Sequence, residues 1–207
     1  GSSATGAMPM LHRSRETSLK LKRFGNDMSI SANLETIESA DGVLQSWSLR
    51  RTSADGSVVH RSASWDPEHG EFLITAGTGD RSKPESLQSR VQPRSPVLPT
   101  WLAGPDLERP QQWASAVLFP ETSAIVDIEI RRLPPQSLRL KDKSTIAVTR
   151  YDYWPTNQPE FRSSAYYNDA QEIVLVEQPL LGRTLRFYRT DAATALGEEN
   201  LQSLDLQ

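Results

Sequence analysis

The chain has 207 residues and a net charge of −3, with 23 basic and 26 acidic side chains, and it contains no cysteine. That length buries a real core, while the small negative charge gives no global field for nucleic acid or an anionic membrane. The missing cysteine excludes disulfides, thiolate metal sites and cysteine nucleophiles within this sequence.

The opening GSSATGAMPM is small and polar, so residues 1–12 are expected to be a flexible tail, a remnant or trimmed linker without signal-peptide character. A signal peptide or anchor upstream stays open. Residues 18–24, SLKLKRF, alternate Leu19 and Leu21 against Lys20 and Lys22, and Gly25-Asn26-Asp27 turns the chain. In 28–38, Met28, Ile30, Ala32 and Leu34 form an apolar face against Ser29, Ser31, Asn33 and Glu35. Asp41-Gly42 and Asp55-Gly56 then sit between runs of two-residue periodicity, which is hairpin chemistry: each glycine takes positive φ without a Cβ clash. Val43, Trp47 and Leu49, then Val59, Ala63 and Trp65, continue the buried face. Asp66-Pro67-Glu68-His69-Gly70 closes a third hairpin into 71–76, where Phe72 and Ile74 alternate with polar neighbours.

Residues 77–99 have no period and are rich in Pro, Gly and polar side chains, so they are expected to form an irregular crossing loop. Thr100 caps a short helix holding Trp101 and Leu102, and another short helix or turn begins near Asp106. Strand signals return at 113–119, 125–132, 137–140, 144–154, 160–167, 173–177 and 183–190, with a turn at Asn168-Asp169-Ala170-Gln171. A short helix is expected over 191–201, and 202–207 is a tail. About eleven strands without a βαβ rhythm predict a mainly β fold, a large curved antiparallel sheet forming a half-barrel or open barrel, with one or two short helices; a two-sheet sandwich also satisfies the pattern. Residues 13–201 read as a single β-rich domain.

The chemistry is sparse. His12, His60 and His69 lie in a tail, on the polar side of a strand and in a turn, without metal-ligand spacing, and read as surface residues. Asp127 and Glu129 share a strand face, as paired catalytic carboxylates would, but a solvated face has the same pattern. No Gly-x-Ser-x-Gly elbow occurs, and Gly77-Thr78-Gly79-Asp80 lacks the lysine of a phosphate loop. Basic residues at 20, 22, 23, 50 and 51, and at 131, 132, 139, 141 and 143, form either an anionic docking patch or the charged face that guards a sheet. The aromatic set offers the residues for contact with a ligand or partner: Trp47, Trp65, Trp101, Trp154 and Tyr166, which otherwise serve as core. No catalytic, metal or cofactor residue is assigned, no cofactor is expected, and the chain reads as a non-enzyme with no membrane span.

The stretch SAYYNDAQEIVLVEQPLLGRTLRFYRTDAATA (164–195) resembles the end of a non-catalytic domain found ahead of the catalytic domain in some bacterial transglutaminase-like proteins. RETSLKLKRFG and LETIESADGVLQSWSLR are similar to its start, and Pro99-Thr100-Trp101-Leu102 to its middle helix entry, so the likeness runs from about Leu11 to Ala195. It implies a curved sheet of the kind used by periplasmic lipoprotein carriers and an extracytoplasmic location. It carries no catalytic residue across, since that chemistry needs a cysteine. The function expected is a non-enzymatic accessory or binding domain that presents a concave β surface to a protein partner or to its own catalytic domain. The alternative is a periplasmic carrier of a lipid or other apolar ligand.

Overall fold

The computed structural model describes residues 10–23, 26–39, 41–78, 81–89, 91–96, 101–102, 110–140, 142–180, 182–189 and 204–205; the side chains at 19–23, 26–28, 78, 81–85, 180 and 204–205 are outside this description. The chain is nearly all β. Its strands are β1 (Met10–Arg23), β2 (Asn26–Ser39), β3 (Leu44–Thr52), β4 (Val58–Asp66), β5 (Glu71–Thr78), β6 (Arg81–Gln88), β7 (Gln112–Phe119), β8 (Ala124–Arg132), β9 (Gln136–Arg139), β10 (Thr145–Pro155), β11 (Ser163–Tyr167), β12 (Ile173–Leu180), β13 (Arg183–Tyr188) and β14 (Leu204–Asp205). They fall into two sheets. One has the order β14-β1-β2-β3-β4-β5-β6; the other runs β13-β12-β11-β10-β8-β7, with β9 on the first half of β10. Strands β1 to β6 pair antiparallel with their neighbours, as do β8 to β13, and β14 makes a short parallel contact with β1.

Two compact units result. The first comprises Gly1–Val97, Leu118–Ala124 and Leu201–Gln207; the second comprises Leu98–Val117 and Ile125–Asn200.

Four hairpins share one loop design. In Ser39–Val43, Ser53–Ser57, Leu140–Ser144 and Asn168–Glu172 the first and fifth residues close the ladder, and the fourth N–H donates to the first carbonyl. The fourth residue carries positive φ: Gly42 at 84°, Gly56 at 80°, Lys143 at 69° and Gln171 at 60°. This is a three-residue connection whose left-handed position matches the strand twist. Side-chain carboxylates and amides brace three of them, since Asp55, Asp142 and Asn168 accept the N–H of Ser57, Ser144 and Glu172 at 2.9 Å.

Three expectations require correction. Residues 10–12 belong to β1, which pairs with β2 along its whole length. The inward positions Arg13 and Arg15 are only partly buried, and their charge hid the apolar period. Residues 81–88 of the supposed crossing loop form β6, an edge strand held by its backbone. Pro84, which donates nothing to a ladder, is at home on such an edge. The 202–207 tail contains β14. Among the described residues the one helix is the 3-10 turn Pro159–Phe161. Trp101 and Leu102 lie in a turn, while Thr100, the segment from Asp106 to residue 109 and the 191–201 helix lie outside the described residues.

Leu34, Trp47, Leu49 and Phe72, inward by their alternation, are buried in the first unit, and Ile128 and Leu175 are buried in the second. Each such side chain contributes roughly 1.5–3 kcal/mol on burial. Ile30 is half-buried, and the Met28 side chain lies outside the description.

Candidate functional site

Strand alternation gives the first sheet two unlike faces. On its open face, register aligns Ile37, Ser46, Ser64 and Leu73 across β2 to β5, with Glu35, Ser48, Ser62 and Thr75 in the next row. The serines are short and their neighbours long, so the face sinks into a trough of about 370 Å3, with His12 at the β1 side. Ile37 and Leu73 stand at its two ends, 43% and 49% exposed. The floor offers hydroxyls and the ends offer aliphatic contact. A nucleophile–base pairing was worth testing, because Ser48 Oγ lies 3.4 Å from His60 Nε2. The contact is long and exposed, and among the described residues His60 has no carboxylate partner to orient it, so the hydroxyl is not activated.

The opposite, buried face carries charge among its apolar side chains. Glu38 is fully buried, receiving Arg13 Nε on one oxygen and Thr36 Oγ1 on the other at 3.2 Å. Arg15 Nη2 lies 3.6 Å from the Glu121 carboxylate, and Arg61 Nη1 donates to the Glu121 carbonyl at 2.8 Å. Two buried donors, Arg15 Nε and Trp47 Nε1, have no hydrogen-bond partner among the described residues. A buried polar group left unmatched costs about 1–3 kcal/mol, so this pair stands out.

The second unit has a polar ladder as well. Asp152, buried, accepts Arg150 Nε at 2.6 Å and Ser164 Oγ at 2.8 Å on the same oxygen. Glu177 accepts the Tyr166 hydroxyl and Arg186 Nε, each at 2.8 Å. Burial and the bond to Glu177 push the Tyr166 hydroxyl up to about 12, so it stays a donor. Each of these donors meets an acceptor, which is what a structural network requires.

The five aromatic contact candidates are distributed over both units. Trp47 borders the trough, but its ring belongs to the buried face at 2% exposure. Trp65 packs against Phe72, centroids 5.2 Å apart, on that same face. Trp101 is buried in the second unit; Trp154 lies under Arg162 at 4.5 Å; Tyr166 is in the ladder, with Arg150 at 5.5 Å over its ring. Tyr151, Tyr167 and Trp113 form a separate edge-to-face chain. Asp127 is exposed, and Glu129 meets Gln112 at 3.4 Å. His69 pairs with Asp66 at 2.8 Å in the hairpin turn. Among the described residues no three His, Asp or Glu side chains gather as metal ligands, and no helix is long and apolar enough to cross a membrane. Sequence reasoning missed Glu38, Arg13 and Arg15, whose charge reads as solvated surface, and the trough serines.

No model of a protein family matches the chain, and no curated protein matches it. Among solved structures it is similar to a β-barrel-like protein from Brucella abortus, a domain of unknown function termed DUF1849. The TM-score is 0.54 at 11% identity, over 77% of this chain and 71% of that one. At that identity the likeness shows the fold alone: a β-barrel-like arrangement of antiparallel strands.

Proposed function

We propose that the chain is a non-enzymatic accessory or binding domain that docks a segment of a partner protein, or of its own catalytic neighbour, in the trough on the first sheet. The observation that carries this reading is the trough itself, with exposed aliphatic ends and a hydroxyl floor on one rigid sheet. Exposed aliphatics rimmed by polar groups mark interaction surfaces. The sequence resemblance supplies the neighbour, a transglutaminase-like catalytic domain, and an extracytoplasmic setting. A photo-crosslinking residue at Ser64 tests it: one dominant protein adduct is expected from the source cell, and none from the same residue at Glu68 in the hairpin turn. Equal, diffuse labelling at both positions would sink the docking reading.

A second reading is a carrier of an apolar ligand, which the exposed aliphatic ends of the trough, Ile37 and Leu73, would contact. Native mass spectrometry followed by organic extraction separates the two: a stoichiometric lipid favours the carrier, and a clean apo species favours docking.

A further inference from the structure

We propose that the chain forms a two-fold dimer in which the outer edge of β13 pairs antiparallel with the same edge of a second copy, continuing the second sheet from one molecule into the next. The trough lies on the other sheet, and this pairing does not depend on it. A sheet edge is a row of unmatched N–H and C=O groups, which folds blunt with proline, charge or a covering segment. Three other edges carry such devices. β6 has Pro84, β1 carries β14 along Leu21 and Lys22, and β7 donates the Leu118 N–H to the Arg94 carbonyl at 3.2 Å. Among the described residues no strand lies beyond β13. Its charges guard it weakly: Arg186 is held on Glu177 at 2.8 Å, and Arg183 stands at the end of the strand.

Backbone alternation fixes which groups of β13 face outward. The Arg189 N–H donates inward to the Val174 carbonyl at 3.1 Å, and the unbroken register that sets Phe187 opposite Val176 and Leu185 opposite Gln178 carries that parity along the strand. The N–H and C=O of Thr184 and Arg186 therefore point away from β12. Side chains then select the register of the dimer. With the two-fold axis at Leu185, residues 183–187 of each copy pair. Thr184 stands against Arg186 of the second copy, each such pair exchanging both of its backbone hydrogen bonds. Leu185 meets its own counterpart as a non-hydrogen-bonded pair, with Cα atoms about 4.5 Å apart. Arg183 lies across from Phe187, which gives a cation–π contact. Phe187 has surface to offer, being 51% exposed although Val176 opposite it is 5% exposed. An axis at Arg186 sets like charges face to face, which is destabilising. An axis at Phe187 leaves only residues 186–188 of the strand paired.

The test is sedimentation velocity of the full chain over a concentration series, in which a reversible dimer is expected. Thr184→Pro removes an outward N–H and no inward one, so the variant should keep the parent's thermal midpoint. Its dimer should weaken by about thirtyfold, the scale of the two hydrogen bonds lost per dimer. Because the chain has no cysteine, single cysteines read the register. Leu185→Cys should oxidise to a disulfide-linked dimer, since the paired Cα spacing suits that bond, and Phe187→Cys should not. A monomer at every concentration would overturn the second copy as the occupant and leave the edge to a strand of another protein. A dimer that Thr184→Pro leaves as tight as the parent would overturn the β13 edge. Crosslinking of Phe187→Cys in place of Leu185→Cys would overturn the register.

Discussion

Both units bury charged and hydrogen-bonding side chains on a sheet face, and they treat them differently. In the second, Asp152 and Glu177 sit on β10 and β12, on either side of β11, with Arg150, Ser164, Tyr166 and Arg186 supplying a donor to each oxygen used. In the first, Glu38 is matched but Arg15 Nε and Trp47 Nε1 are not. A matched network rigidifies a core, whereas an unmatched donor in the same dielectric is a standing cost. The difference separates polarity that is satisfied within the fold from polarity that is not, although the two clusters look equally polar.

The comparison can be broken most forcefully at Asp152. Asp152→Ala strands Ser164 and a partly exposed Arg150, and should cost about 2–3 kcal/mol, somewhat below the figure for a fully buried pair. Urea denaturation reads it; a loss under about 0.5 kcal/mol would remove the ladder from the structural account.

The hairpins sharpen the comparison from another side. The first unit places Gly42 and Gly56 at the left-handed loop position, while the second places Lys143 and Gln171 there. Gly56→Ala should destabilise by about 1 kcal/mol from backbone strain alone, because nothing lies within 4 Å of the added Cβ. Lys143→Gly should do the reverse by a few tenths of a kcal/mol, after the entropy cost of glycine. Thermal melting of both variants checks the pair, and a destabilising Lys143→Gly would contradict the shared loop geometry.

The smallest effect concerns the Asp66–His69 turn, which is exposed. The hydrogen bond that the His69 imidazolium donates to the Asp66 carboxylate raises the pKa of His69 and lowers that of Asp66. For His69, the stabilisation is full below the unfolded value of about 6.5 and fades as pH rises through the raised folded value. For Asp66 it is present above about 3.8 and fades as pH falls through the lowered folded value. In Asp66→Asn, the NMR titration midpoint of His69 should fall; an unchanged midpoint would show the contact is not formed in solution.

Much of this fold was legible where alternation was clean, as in 28–38 and 125–132, and where Asp-Gly set the turn. It was illegible where charge occupied inward positions, as at Arg13 and Arg15, and where pairing needed only backbone, as in β6 with Pro84. The trough had a readable signal. A turn at Asp55-Gly56 pairs Ser46 with Ser64 and Ser48 with Ser62, four small residues on one face. The unmatched donors had none, because whether Trp47 Nε1 finds a partner depends on packing around it rather than on any pattern of residue types.

The central claim, that two buried donors of the first unit, Arg15 Nε and Trp47 Nε1, are unmatched while the second unit's ladder is matched, is tested most directly by urea denaturation of two truncations. Tyr166→Phe removes a hydroxyl that Glu177 uses, and should cost about 1–2 kcal/mol. Trp47→Phe removes an N–H with no partner, and relief of that penalty should offset the lost packing, leaving stability within about 1 kcal/mol of the parent. A Trp47→Phe loss as large as that of Tyr166→Phe, or larger, would contradict the account.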